Sequence, residues 1–146
     1  MRLGEFGPAG ARNFPIPNPG DRKLAVNIVA LVDDLFFLAK IQETAKVVGI
    51  SVVKIDPRRG VSAIEESQPQ AIIVDLGSRS LPVLEWIRSL KADAATWSIR
   101  IVGFVSHVES QMIADAKAAG CDTVMARSAF TQQLPHLLRS LAAESN

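Results

Sequence analysis

The six residues Ala71-Ile72-Ile73-Val74-Asp75-Leu76 restrict the fold of this chain more than any other stretch. Three β-branched residues in a row follow an alanine, with no polar residue among them to turn toward water. A run this short and this apolar suits a strand buried on both faces, which is the condition of a parallel sheet covered by helices on each side. Such a strand carries the carboxylate of Asp75 to its C-terminal end. In open α/β sheets that edge is where ligands bind and chemistry occurs.

The rest of the chain supplies the other pieces of such a sheet. Leu24 to Val32 reads as a buried strand ending at Asp33-Asp34, and Leu35 to Val48 as a helix with Leu38, Ile41, Ala45 and Val48 on its apolar side. Gly49 ends that helix. Ile50 to Ile55 is a second strand, Asp56 to Gly60 a turn, and Val61 to Ser67 a short helix leading to the strand before Asp75. Gly77 to Ser80 is a loop. Leu81 to Ala92 is a helix that holds Pro82 in its first turn. Ile99 to Val105 is a fourth strand ending at Ser106-His107, and Val108 to Ala119 a helix stopped by Gly120. Asp122 to Ala126 is a short fifth strand ending at Arg127-Ser128. Phe130 to Ala143 is the last helix, with Pro135 near its start. Five strands alternating with five helices imply a doubly wound α/β sandwich, (βα)5 in three layers around a parallel sheet.

Residues 1–22 are different in kind. They hold Gly4, Gly7, Gly10 and Gly20, and Pro8, Pro15, Pro17 and Pro19, and are expected to form a flexible arm ahead of one domain over 23–146. Hydrophobic content of 48% and charged content of 21% fit a globular chain rather than a disordered one. Sixteen basic against 15 acidic residues leave a formal net charge of +1, which gives no footprint for nucleic acid or an anionic membrane. No apolar run approaches the ~20 residues of a membrane span. The single cysteine, Cys121, rules out an internal disulfide framework and suits a reducing cytoplasm.

Right-handed crossovers bring all strand C-termini to one edge. Asp33, Asp34, Asp75, Ser106 and Arg127 are therefore expected to converge. Three carboxylates repel one another and raise each other's pKa unless a cation sits among them. A hard divalent ion such as Mg²⁺, with oxygen ligands, is the natural solution. A carboxylate beside such a metal can attack a phosphoryl group, and a hydroxyl and a fixed positive charge would then hold its oxygens. Each residue also has a plainer role open to it. Asp33-Asp34 suit the N-cap and first turn of a helix, Ser106 suits a cap, and Arg127 suits an exposed loop. His107 and His136 read as solvated, and Trp86 and Trp97 as packing and surface cover.

Leu31-Val32-Asp33-Asp34, Ile72-Ile73-Val74-Asp75-Leu76, Phe104-Val105-Ser106 and Ala118-Ala119-Gly120-Cys121-Asp122, in this order and spacing, resemble the receiver domain of bacterial two-component response regulators. The resemblance runs from Leu24 to about Leu141. It implies a flavodoxin-like fold with strand order 2-1-3-4-5. Asp75 would be the phosphoacceptor, served by a histidine kinase or phosphotransfer protein. Asp33 and Asp34, with Asp75 and the backbone of Gly77, would hold Mg²⁺. Ser106 and Arg127 would contact the phosphoryl group. A downstream protein partner, or a second copy, would meet the fourth helix, fifth strand and fifth helix. The chain would be a cytoplasmic signalling module rather than an enzyme, with no output domain before Asn146.

Several positions depart from that family's pattern. Arg127 stands where a lysine is usual, Ser128 where a proline is, and one extra residue precedes Phe130. Val124 takes the place of the aromatic switch residue, and Ser78-Arg79 and Pro82-Val83 replace the usual residues after the phosphoacceptor. Arg79 is close enough in sequence to pair with Asp75. These departures leave the acceptor site in place and remove usual parts of its output switch, so a phosphorylation-independent adaptor or dimerisation module is the alternative. A flavodoxin-type small-molecule site is disfavoured, because Asp33-Asp34-Leu35-Phe36-Phe37 is acidic and bulky where a phosphate-cradling loop needs small residues.

Overall fold

The computed structural model describes residues 26–106 and 109–144; the expected arm, Leu24, Ala25, His107 and Val108 lie outside them. The elements are β1 (Val26–Leu31), α1 (Leu35–Val47), β2 (Ile50–Lys54), α2 (Val61–Ser67), β3 (Ala71–Asp75), α3 (Val83–Ala92), β4 (Arg100–Val105), α4 (Ser110–Ala119), β5 (Thr123–Ala126) and α5 (Arg127–Glu144). All strand pairs are parallel, in the order β2-β1-β3-β4-β5. The strand that carries Asp75 is the central one.

Burial explains why β3 is in the middle. Ala71, Ile72, Ile73 and Val74 are all fully buried. Side chains alternate across a strand, so neighbours go to opposite faces. Ile73 joins Ile28, Ala30, Val102 and Phe104 under α1 and α5, against Leu38, Ile41, Phe130, Leu134 and Leu138. Ile72 and Val74 join Val29, Leu31, Ile101 and Val105 under α2, α3 and α4, against Ile64, Ile87, Leu90 and Ala116. Each fully buried branched side chain contributes roughly 1.5–3 kcal/mol relative to exposure. An edge position would forfeit much of that.

Some element ends differ from the sequence expectation, each for a local reason. α3 starts at Val83, with Pro82 as its N-cap, because the Val83 amide turns back to the Leu81 carbonyl at 2.8 Å. β5 starts at Thr123. The Asp122 amide still donates to the Ile101 carbonyl at 2.9 Å, but its carboxylate takes the place of a strand carbonyl, accepting from the Ile101 amide and Lys91 at 2.8 and 2.9 Å. α4 starts at Ser110 with Glu109 as its N-cap, so Ser106 does not cap it. α5 starts at Arg127 directly after β5, since neither glycine nor proline stands there to break the chain, and it runs through Pro135.

The last buried turn below Asp75 is tightly filled. A Cβ built on Gly103 would lie 2.7 Å from Leu76 Cδ1 and 3.1 Å from Cys121 Sγ. Leu76 is itself buried and cannot swing away. Gly103→Ala is therefore expected to cost about 1–3 kcal/mol through overpacking. Urea unfolding should read this loss, and the loss on Gly103→Ala should be smaller when measured in a Leu76→Ala background.

Candidate phosphoryl-acceptor site

The strand order reverses direction of growth between β1 and β3, which opens a crevice at their C-terminal ends. Asp33 and Asp34 follow β1, and Asp75 ends β3, so the two neighbouring strands bring the three carboxylates to this one crevice. Asp75 is partly buried, and its Oδ1 accepts from the Gly77 amide at 2.9 Å. The amide of Leu76 donates to the Phe104 carbonyl at 3.0 Å and fixes the strand end. A cleft of about 450 Å³ opens on one side of Asp75, lined also by Gly77, Ser78, Ser106 and Glu109. Ser106 is exposed at the end of β4. Asp33, Asp34 and Arg127 are not on this cleft's lining. A second cleft of equal volume, lined by Gln68, Pro69, Asp93 and Thr96, lies at the opposite edge and touches none of these residues.

The acidic pair has two distinct duties. Asp34 is the N-cap of α1: its Oδ1 accepts from the Phe36 and Phe37 amides at 3.0 and 3.1 Å. Its Oδ2 accepts from the Arg127 guanidinium at 3.3 Å. Those amides, the Phe37 amide above all, and Arg127 hold its carboxyl below the usual range. Asp33 makes no cap. Its Oδ2 accepts from the Ser78 hydroxyl and its Oδ1 from the Ser80 hydroxyl, both at 2.6 Å. Burial pushes the Asp33 carboxyl up, but the two hydroxyls and the Ser80 and Arg79 amides together outweigh it and leave it lowered.

Asp75 behaves in the opposite way. Burial is the main cause that pushes its carboxyl up; Asp33 and Asp34 add repulsion, while the Gly77 amide and Arg127 pull it down. Arg127 is a positive charge that acts on Asp75. Arg79 has an exposed side chain and meets the site through its backbone. Arg127 sits with its guanidinium carbon 4.0 Å from the centre of the Phe37 ring. Phe37 in turn packs on Phe104 and Phe130, at 5.2 and 5.9 Å between ring centres.

In kind, these oxygens suit a hard divalent cation. In arrangement, those of Asp33 and Asp34 are engaged by protein donors. Among the described residues no three His, Cys, Asp or Glu side chains are grouped to hold one ion. Ser78, Ser80 and Phe37 were not among the site residues expected from sequence. Two serines flanking Arg79 were the visible sign, but nothing local ties them to a carboxylate 45 and 47 residues away.

No family model matches the chain, and no curated protein matches it. Solved structures do. A response regulator from Hahella chejuensis superposes with a TM-score of 0.74 at 15% identity, over 84% of this chain and 98% of that one. The receiver domain of a sensor histidine kinase from Pseudomonas aeruginosa, with a magnesium ion coordinated in its active-site cleft, gives 0.70 at 17% identity, over 82% and 98%. The phosphorylated cyanobacterial phytochrome response regulator RcpA gives 0.64 at 19% identity, over 80% and 91%. The fold is the receiver fold. Five parallel strands in the order 2-1-3-4-5 with five helices meet the sequence expectation, at sequence identities that mark a divergent chain. Among the described residues, no helix is long and apolar enough to cross a membrane.

The raised pKa of Asp75 has a definite sign for stability. The folded state holds the proton more tightly than the unfolded chain, so the contribution of Asp75 is best at acid pH and is lost as pH rises through its folded pKa. Asp75→Asn is thus expected to raise the urea midpoint at pH 7, with the gain over wild type shrinking toward pH 3. A variant no more stable than wild type at pH 7 would contradict the burial account.

Proposed function

We propose that this chain is a receiver module of phosphorelay signal transduction, which accepts a phosphoryl group on Asp75 and reports it to a protein partner. The observation that carries this reading is the placement of Asp75: a partly buried carboxylate at the C-terminal end of the central strand, opening on a cleft shared with Ser106. With Oδ1 held by the Gly77 amide, Oδ2 is the oxygen that would take the phosphoryl group. In the transfer, an oxygen–phosphorus bond forms at Asp75 as the phosphorus–nitrogen bond of a phosphohistidine breaks, and the imidazole leaves with the electron pair. The donor is a histidine kinase or phosphotransfer protein. The Ser106 hydroxyl, on the cleft, would contact the phosphoryl oxygens, and the Arg127 guanidinium would join it by leaving Asp34. Asp33, Asp34 and Asp75 with the Gly77 carbonyl would be the residues to hold Mg²⁺, whose charge would screen the two anions from each other. A cytoplasmic setting suits this chemistry, and the chain transmits rather than catalyses. The face of α4, β5 and α5 is offered to the downstream partner or to a second copy. All four residues of the edge strand β5 are only partly buried there.

A specific observation favours a second reading, in which the fold serves as a phosphorylation-independent adaptor. Ser78, Ser80 and Arg127 occupy the oxygens of Asp33 and Asp34. Incubation with acetyl phosphate and Mg²⁺, followed by intact-mass measurement, separates the two. The receiver reading expects the mass of one phosphoryl group on wild type and none on Asp75→Ala, with beryllofluoride shifting the amide resonances of residues 75–80 only in wild type. A silent wild type, or the same response in Asp75→Ala, would transfer the case to the adaptor.

A further inference from the structure

We propose that Ser78 and Ser80 form a clasp on Asp33 that a divalent cation must displace, and that this pair sets the metal affinity of the acidic site. The inference rests on reading that site as a cation site and goes beyond it by naming what competes with the ion. Both hydroxyls donate their one proton to Asp33, one to each carboxylate oxygen, at 2.6 Å. That is the short range of charge-assisted O–H···O⁻ bonds, which are about twice as strong as neutral ones. A carboxylate offers roughly four acceptor positions in all, and the two hydroxyls take one on each oxygen.

The clasp is built into the fold by more than two side chains. The Ser78 hydroxyl also accepts from the Leu81 amide at 3.2 Å, and the Ser78 amide donates to the Asp75 carbonyl at 3.1 Å. Ser78 therefore links the end of β3, the approach to α3 and the carboxylate that follows β1. Asp34 is held in parallel, by its own helix and by Arg127. An ion entering between Asp33 and Asp75 has to exchange water for carboxylate and also break bonds that the protein has already made. Ser78 and Ser80 are positioning residues in this account: they act on the ion only through Asp33.

Calorimetric titration with Mg²⁺ and with Mn²⁺, paired with amide shifts of residues 75–80, tests this without a phosphodonor. Ser78→Ala/Ser80→Ala is expected to bind both ions about tenfold or more tightly than wild type, as expected when charged-group hydrogen bonds no longer compete. Asp33→Asn added to that pair should cancel the gain. Ser80→Ala alone leaves the Ser78–Leu81 contact and the start of α3 intact, guards against misfolding of the double variant, and should give part of the gain. Equal or weaker binding in folded variants would overturn the proposal, as would no binding by any of them. Tighter metal binding without phosphorylation by acetyl phosphate would uphold the clasp while removing the receiver reading.

Discussion

A carboxylate at the end of a strand that has no water on either face is the constraint on which this structure depends. β3 is central because its residues are wholly apolar, and being central it has to deliver Asp75 into the crevice where the sheet changes direction of growth. Burial there raises the cost of the charge, and two further carboxylates next door raise it more. Everything around Asp75 answers that cost. The Gly77 amide takes one oxygen, Arg127 supplies a compensating field, and the neighbouring carboxylates are tied to other donors.

Arg127 is itself in an awkward position. It is the first residue of α5, where the helix dipole disfavours a cation. Asp34 and the face of Phe37 offset this, and Phe37 is braced by Phe104 and Phe130. The guanidinium that acts on Asp75 is thus mechanically continuous with both helices covering that face of the sheet. Val124 offers no ring on the other side of β5; its side chain packs against the core beneath α2, α3 and α4. The three clustered phenylalanines sit on the α1 and α5 face, and sequence order alone does not assemble them because they come from three separated elements.

The division between what was legible and what was not follows sequence distance. Strand and helix identities came from local periodicity; Leu38, Ile41 and Ala45 are buried as expected, Val48 is only half-buried, and Phe37, Val83 and Phe130 join the buried set. That Asp33 and Asp34 lie near enough to repel Asp75 follows from the parallel topology, but among the described residues the three are not grouped to hold one ion. Element ends were not legible where a side chain took over a backbone role, as Asp122 does beside Ile101. Arg79 looked like a partner for Asp75 through proximity in the chain, whereas Arg127, 52 positions further on by its number, is a charge that acts there. Ser78 and Ser80 lie in a loop with no periodicity to interpret, and their partner belongs to another strand.

The chain's single thiol has a practical consequence. Cys121 is buried against Gly103, its Sγ is bonded to the Thr123 carbonyl at 3.2 Å, and burial pushes its pKa up to about 11. At neutral pH it is therefore protonated as well as shielded, and a thiol reagent reaches it only when the packing of α3, α4, β4 and β5 around it opens. Because no second cysteine exists to confuse the signal, the rate of its modification is a clock for the opening of that edge of the sheet. The same clock, run with and without an occupant at Asp75, would time how far an event at the central strand is felt at the rim.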